Sequence, residues 1–150
     1  MTSNRTHHGK YESEYEAFDF HFIRNIGDAD IFIHQHLGIL VIKYHRDTII
    51  DRKKAIQIIE ETKPMFTPEI KLVISDSRAI GLLIDHDARQ IFKNYPSPKE
   101  ANALAILIES LPIKILANFF INSDKPAIPT KAFRNLSPAI EWLIQQDDLL

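Results

Sequence analysis

The chain has 150 residues, 45% hydrophobic and 25% charged, with a formal net charge of −2 and no cysteine. That length favours one domain with its own core, and the near-neutral charge gives no global pull toward nucleic acid or a membrane surface. The lack of cysteine excludes disulfides, thiolate metal sites and a cysteine nucleophile, and fits a reducing cytoplasm.

Residues 1–17 are polar and aperiodic; they read as a flexible N-terminal arm, dispensable for folding, ahead of a domain over 18–150. The arm has no apolar core and is not a signal peptide. Phe18–Asn25 sets Phe18, Phe20 and Phe22 against Asp19 and His21, the alternation of a half-buried strand. Asp30–His34 and Gly38–Tyr44 are the next strands, joined by a turn at His36-Leu37-Gly38; Ile39–Ile42 is continuous and apolar, as in a strand covered on both faces. Thr48–Lys63 reads as a helix capped by Thr48, with Ile49, Ile56 and Ile59 inward beside Ala55, stopped by Pro64. Ile70–Ser75 is a short strand. Asp85 caps a helix carrying Ala88, Ile91, Phe92 and Tyr95 at helical spacing. Ala103–Ile108 is a buried strand, and Ser110 caps the helix Leu111–Ile121, with Pro112 tolerated in its first turn. Ile128–Phe133 is the last strand. Ser137-Pro138 opens the final helix, in which Ile140 and Leu143 face inward. Phe119 and Trp142 are expected to pack.

The order is β-β-β-α-β-α-β-α-β-α. It predicts an α/β domain with a mostly parallel sheet, an antiparallel N-terminal hairpin edge, and helices packed on the sheet.

Several constellations are candidates for chemistry. Asp76 and Arg78 follow a strand, and Asp87 and Arg89 open a helix; the carboxyl edge of a parallel sheet is where ligands collect. The two arginines would suit an anion, while the plainer reading is that Asp76–Arg78 or Asp87–Arg89 pairs organise the loop. Ser110, Lys114 and Asn118 fall at i, i+4, i+8 on one helix face. They are either a solvent edge or the border of a pocket or subunit contact, with Lys131 able to join from the last strand. Phe120 and Leu116 are expected near the centre of the apolar surface beside that stripe. His34 and His36 share a strand face but lack a third ligand, so no metal is expected. Ser75, Ser77 and His86 form no Gly-x-Ser-x-Gly elbow. No Gly-rich phosphate loop, basic run or aromatic RNA motif is present, so no nucleic-acid partner is expected. The stretch Leu111–Ile121 is too short to span a bilayer.

The segment Leu72-Val73-Ile74-Ser75-Asp76, followed by Leu83-Ile84-Asp85-His86-Asp87-Ala88, resembles the STAS-type fold of bacterial anti-sigma-factor antagonists. An uncharacterised bacterial group of STAS-like proteins is closer still, through Asp76-x-Arg78, Ala88-Arg89, Ala117-Asn118-Phe119-Phe120, Lys125-Pro126-x-x-Pro129, Phe133 and Ala139–Leu143. The resemblance covers about residues 30–146 and implies a single STAS-like domain. Antagonists of this type are switched by a phosphorylated serine at the start of the helix after the second parallel strand. That position falls on Asp87, so the resemblance implies no kinase switch there.

Three readings follow. The first is a non-enzymatic, cytoplasmic STAS-like regulatory or protein-interaction domain, contacting a protein partner or a second copy of itself as a homodimer. The second is a small-molecule or lipid-binding module that uses helix 111–121 for an apolar or anionic ligand. The third, an enzyme acting through Asp76, His86 and Arg89, ranks last. No cofactor is implied.

Overall fold

A computed structural model describes residues 12–149. Their central feature is a six-stranded sheet, built from β1 (His21–Asn25), β2 (Ala29–His34), β3 (Ile39–Tyr44), β5 (Leu72–Asp76), β7 (Ala103–Leu107) and β8 (Thr130–Phe133), paired in that order. β1, β2 and β3 pair antiparallel; β3, β5, β7 and β8 pair parallel. The expected mixed α/β architecture, with its antiparallel hairpin edge, is what forms.

Each parallel crossover steps in the same direction along the sheet. Crossovers of one hand stepping one way lay their helices on one face. These helices are α2 (Arg52–Thr62), α3 (His86–Phe92) and α4 (Leu111–Phe119). The other face is covered by α5 (Leu136–Asp148), which returns after β8, and by the short α1 (Glu12–Ala17). Strand alternation divides the core accordingly. Ile39, Val41, Leu72 and Ile74 point to the α1/α5 face, whereas Leu40, Ile42 and Val73 point to the other. All six residues of β3 are buried, as its continuous apolar run requires.

Four expectations need correction. The arm boundary expected at residue 17 falls inside the packed structure. Residues 12–17 form α1, and Tyr15 is fully buried, stacked on Phe32 at 4.9 Å and edge-on to Phe20 at 5.5 Å. Residues 1–11 lie outside the described residues. The alternation at the first strand holds only for Phe20: Asp19 takes φ 66°, the strand starts at His21, and Phe18 and Phe22 are exposed.

Thr48 does not open a helix. Ile49–Ile50 form β4, which pairs in parallel with β6 (Leu83–Ile84), and Asp51 becomes the cap by accepting from Lys54 N at 2.9 Å. Ala55 is buried as expected, but with it Ile58 and Thr62; Ile59 is half-buried, and Ile49 and Ile56 are exposed. The last helix starts earlier than Ser137, at Leu136 after Asn135, because Leu136 itself is fully buried against the sheet.

The caps at Asp85 and Ser110 form as expected, accepting from Ala88 N at 2.9 Å and Ile113 N at 3.4 Å. α4 runs into a single π-helical turn, Phe120–Asp124, closed by Lys125 at φ 56°. Among the described residues, no helix is long and apolar enough to cross a membrane.

Candidate functional site

Two places gather polar side chains into the interior, one on each side of the sheet. The first is at the carboxyl end of β5, on the α1/α5 face. Asp76 and Arg78 are nearly inaccessible to solvent. Arg78 donates through Nε to Asp76 Oδ1 at 2.9 Å and through Nη2 to Oδ2 at 2.8 Å, and its backbone N reaches Oδ1 at 3.2 Å. Tyr15 Oη donates to the same Oδ2 at 2.6 Å. Glu14 Oε1 lies 3.1 Å from Arg78 Nη1, near enough for an ion pair but too poorly aligned to accept a hydrogen bond.

This bidentate arrangement is the strong form of the pair. Burial raises the Tyr15 phenol well above its usual range, and the neighbouring Asp76 charge raises it further. Burial works against the charge on Arg78, but the hydrogen bonds and charge of Asp76 outweigh it and hold the guanidinium protonated. The result is a closed latch that ties α1 to β5. Asp76 and Arg78 are therefore paired with each other, as the plainer reading expects.

The second place is a cavity between the sheet and α2, α3 and α4. Its volume is about 80 Å³, and it opens to solvent at one side. Ile42, Val73, Leu104 and Ile106 form the floor; Ile113, Leu116, Ala117 and Phe120 form the roof. Tyr44, Ser75, Ser77, Arg89 and Tyr95 supply the polar atoms. Burial pushes the Tyr44 phenol up to about 12, against a hydrogen bond to Ser75 that lowers it. Tyr95 is raised for the same reason, and its hydroxyl lies 2.7 Å from Thr62 Oγ1.

Arg89 sits at the edge of this space, 13% exposed at the side chain. Its Nη1 donates to Asp124 Oδ2 at 2.8 Å, its Nη2 lies 3.3 Å from His86 Nδ1, and its guanidinium carbon stands 5.0 Å from the Phe119 ring centre. Gln90 donates to the other oxygen of Asp124 at 3.1 Å. The π-helical turn after α4 is what carries Asp124 to α3. Arg89 Nε is buried and has no partner.

The remaining candidates are dispersed. Asp87 is exposed in the first turn of α3, and the ion pair of Arg89 is with Asp124 in its place. Lys114 and Asn118 are exposed on the outer side of α4. Phe120 is 7% exposed and faces the cavity, so it is not at the centre of the outer surface; Leu116, half-buried, lines the same cavity. The outer surface belongs to Leu111, Ile115 and Phe119, at 67%, 59% and 49% exposure. Phe119 is therefore not a core residue, whereas Trp142 is half-buried against Phe133 at 5.7 Å.

Lys131 lies over the Phe133 ring at 5.5 Å, and that ring packs into the α1/α5 core, so the sheet separates Lys131 from α4. His34 Nδ1 accepts from Leu37 N at 3.1 Å, and among the described residues no group of three or more His, Asp or Glu is placed to hold a metal ion. Sequence reasoning missed Glu14, Tyr15, Tyr44 and Asp124, for which no local pattern signals a role.

A solved structure with the same architecture is an uncharacterised DUF3478-family protein of SpoIIAA-like fold from Shewanella loihica PV-4. It is 15% identical, covers 83% of this chain and 94% of its own length, and superposes with a TM-score of 0.51. The fold is thus SpoIIAA-like, which is to say STAS-like. No curated protein matches the chain. The family described as a domain of unknown function (DUF7793) matches residues 32–147, and the chain belongs to that family.

Proposed function

We propose that this is a non-enzymatic STAS-like regulatory domain that works by protein contact, with the outer face of α4 as the contact surface and a second copy of the chain as the occupant. One observation carries the reading. Leu111, Ile115 and Phe119 recur every four residues along one side of α4 and stand 67%, 59% and 49% exposed. A stripe of large apolar side chains held in water marks an interaction site more often than a bare surface.

The stripe is symmetric about Ile115. Two copies related by a twofold axis would set Ile115 on Ile115 and Leu111 against Phe119 of the other copy, a self-complementary and closed contact. Lys114 and Asn118, exposed beside the stripe, would form its polar rim.

The same reading leaves catalysis aside. Asp76 is spent on Arg78 and Tyr15, and His86 lies against Arg89. By the sequence resemblance, Asp87 falls where the antagonists carry a phosphorylatable serine, which leaves no hydroxyl there for a kinase. Sedimentation velocity over a concentration series tests the proposal. The wild type should be dimeric at high micromolar concentration. The double variant Ile115→Glu, Leu111→Gln should be monomeric and keep the melting temperature that the wild type shows at concentrations too low for it to pair. A wild-type monomer throughout the series overturns the reading.

A further inference from the structure

The cavity under α4 differs from a packing defect in carrying a donor without an acceptor. Its walls are aliphatic, with Ile42, Val73 and Ile106 below and Ile113 and Leu116 above. One of its phenols is already committed inside the protein, Tyr95 to Thr62. Arg89 is different. Asp124, His86 and Phe119 occupy its two terminal nitrogens and its face, and Nε remains buried and unpartnered.

A buried donor without a partner is unfavourable, and protein interiors hold few voids larger than a water molecule. Apolar walls with a few placed polar groups are also the usual make-up of a small-molecule site.

We propose that the cavity binds a small, mainly apolar molecule with a single hydrogen-bond acceptor at one end. Arg89 Nε takes the acceptor, and the apolar body lies between the sheet and α4. Asp124 already neutralises the guanidinium, so the site asks for an acceptor and not for net negative charge. A fatty alcohol and the matching fatty acid should both enter. The inference does not depend on self-association, because it uses the inner face of α4 and its readout involves no second copy.

The test is a titration of methyl-labelled full chain with octanol and, separately, with octanoate, followed by NMR. Both probes should give saturable shifts at Ile106, Ile113 and Leu116, and none at Ile74 or Leu143 across the sheet. Arg89→Met should weaken both probes roughly tenfold, the worth of one hydrogen bond at the upper end of its range. Ala117→Leu fills the roof and should abolish binding with the fold intact; it carries the test by itself if Arg89→Met does not fold. The proposal is overturned if neither probe saturates, if shifts are confined to the exposed Leu111 and Ile115, or if Ala117→Leu binds like the wild type. Binding of octanoate alone would overturn the assignment of a neutral acceptor.

Discussion

The two faces of one sheet are built to different standards. On the α1/α5 face, Tyr15, Phe20, Phe32, Ile74, Leu136 and Leu143 are closed off from solvent, and the polar cluster among them is tied by short bonds between Tyr15, Asp76 and Arg78. On the α2–α4 face, the sheet and helices enclose an open-mouthed space. The same strands supply both faces, so strand composition does not explain the difference. It lies in what covers them. One 13-residue helix, α5, brings four buried side chains, whereas the other face is divided among α2, α3 and α4, of 11, seven and nine residues, with three, one and two buried. Short helices over a broad sheet leave room.

The largest effect should come from breaking the latch on the closed face. Arg78→Leu leaves the Asp76 carboxylate buried with Tyr15 as its remaining side-chain partner, and should cost about 3–5 kcal/mol in chemical denaturation. The corresponding change, Arg89→Leu, should cost clearly less, because Asp124 keeps Gln90 near the open mouth. Replacing the whole cluster, as Asp76→Leu with Arg78→Leu and Tyr15→Phe, should regain part of the loss, since no buried charge is then stranded. Equal losses at Arg78 and Arg89 would erase the distinction between the faces.

Alkaline pH probes both faces together. Burial pushes the Tyr44 phenol up to about 12 from its ordinary 10.0, and Tyr15 and Tyr95 are shifted in the same direction. Below pH 10 these phenols are protonated in both states, so their contribution is fully present. Above it the unfolded chain releases protons that the folded chain retains. Stability therefore falls from about pH 10 upward, by about 1.4 kcal/mol per pH unit for each tyrosine. Melting temperatures from pH 8 to 12 should show this decline. Tyr15→Phe and Tyr44→Phe should each make it shallower, one from each face; a slope that neither variant changes would contradict their burial.

The smallest effect separates the faces most directly. Ala105 is fully buried in the closed core, so Ala105→Leu should overpack it at a cost of about 1–3 kcal/mol. Ala117 borders the cavity, and Ala117→Leu should be accommodated within about 0.5 kcal/mol. Comparable losses at both positions would mean that the cavity is already filled by side-chain adjustment.

What this chain declares in its sequence is whatever depends on neighbours a few residues apart. The apolar runs at Ile39–Ile42, Leu72–Ile74 and Ala103–Leu107 announce strands buried on both faces, and their alternation with helices announces a parallel sheet. Asp85 and Ser110 announce helix starts because a cap acts on a backbone N–H three residues ahead. Thr48 shows where this local logic is overruled: Leu83–Ile84, more than thirty residues on, draws Ile49–Ile50 into a strand pair, and the following helix starts later, capped by Asp51.

The Asp76–Arg78 pair, two residues apart, is local, but the contacts that complete both candidate sites are not. Tyr15 meets Asp76 across 61 residues and Arg89 meets Asp124 across 35, and neither pair has a spacing rule that periodicity can detect. Which side of α4 faces water was equally undecided locally. Nearly the whole helix is apolar, so only the sheet beneath it could choose Ile113, Ala117 and Phe120 for the interior and leave Leu111, Ile115 and Phe119 outside.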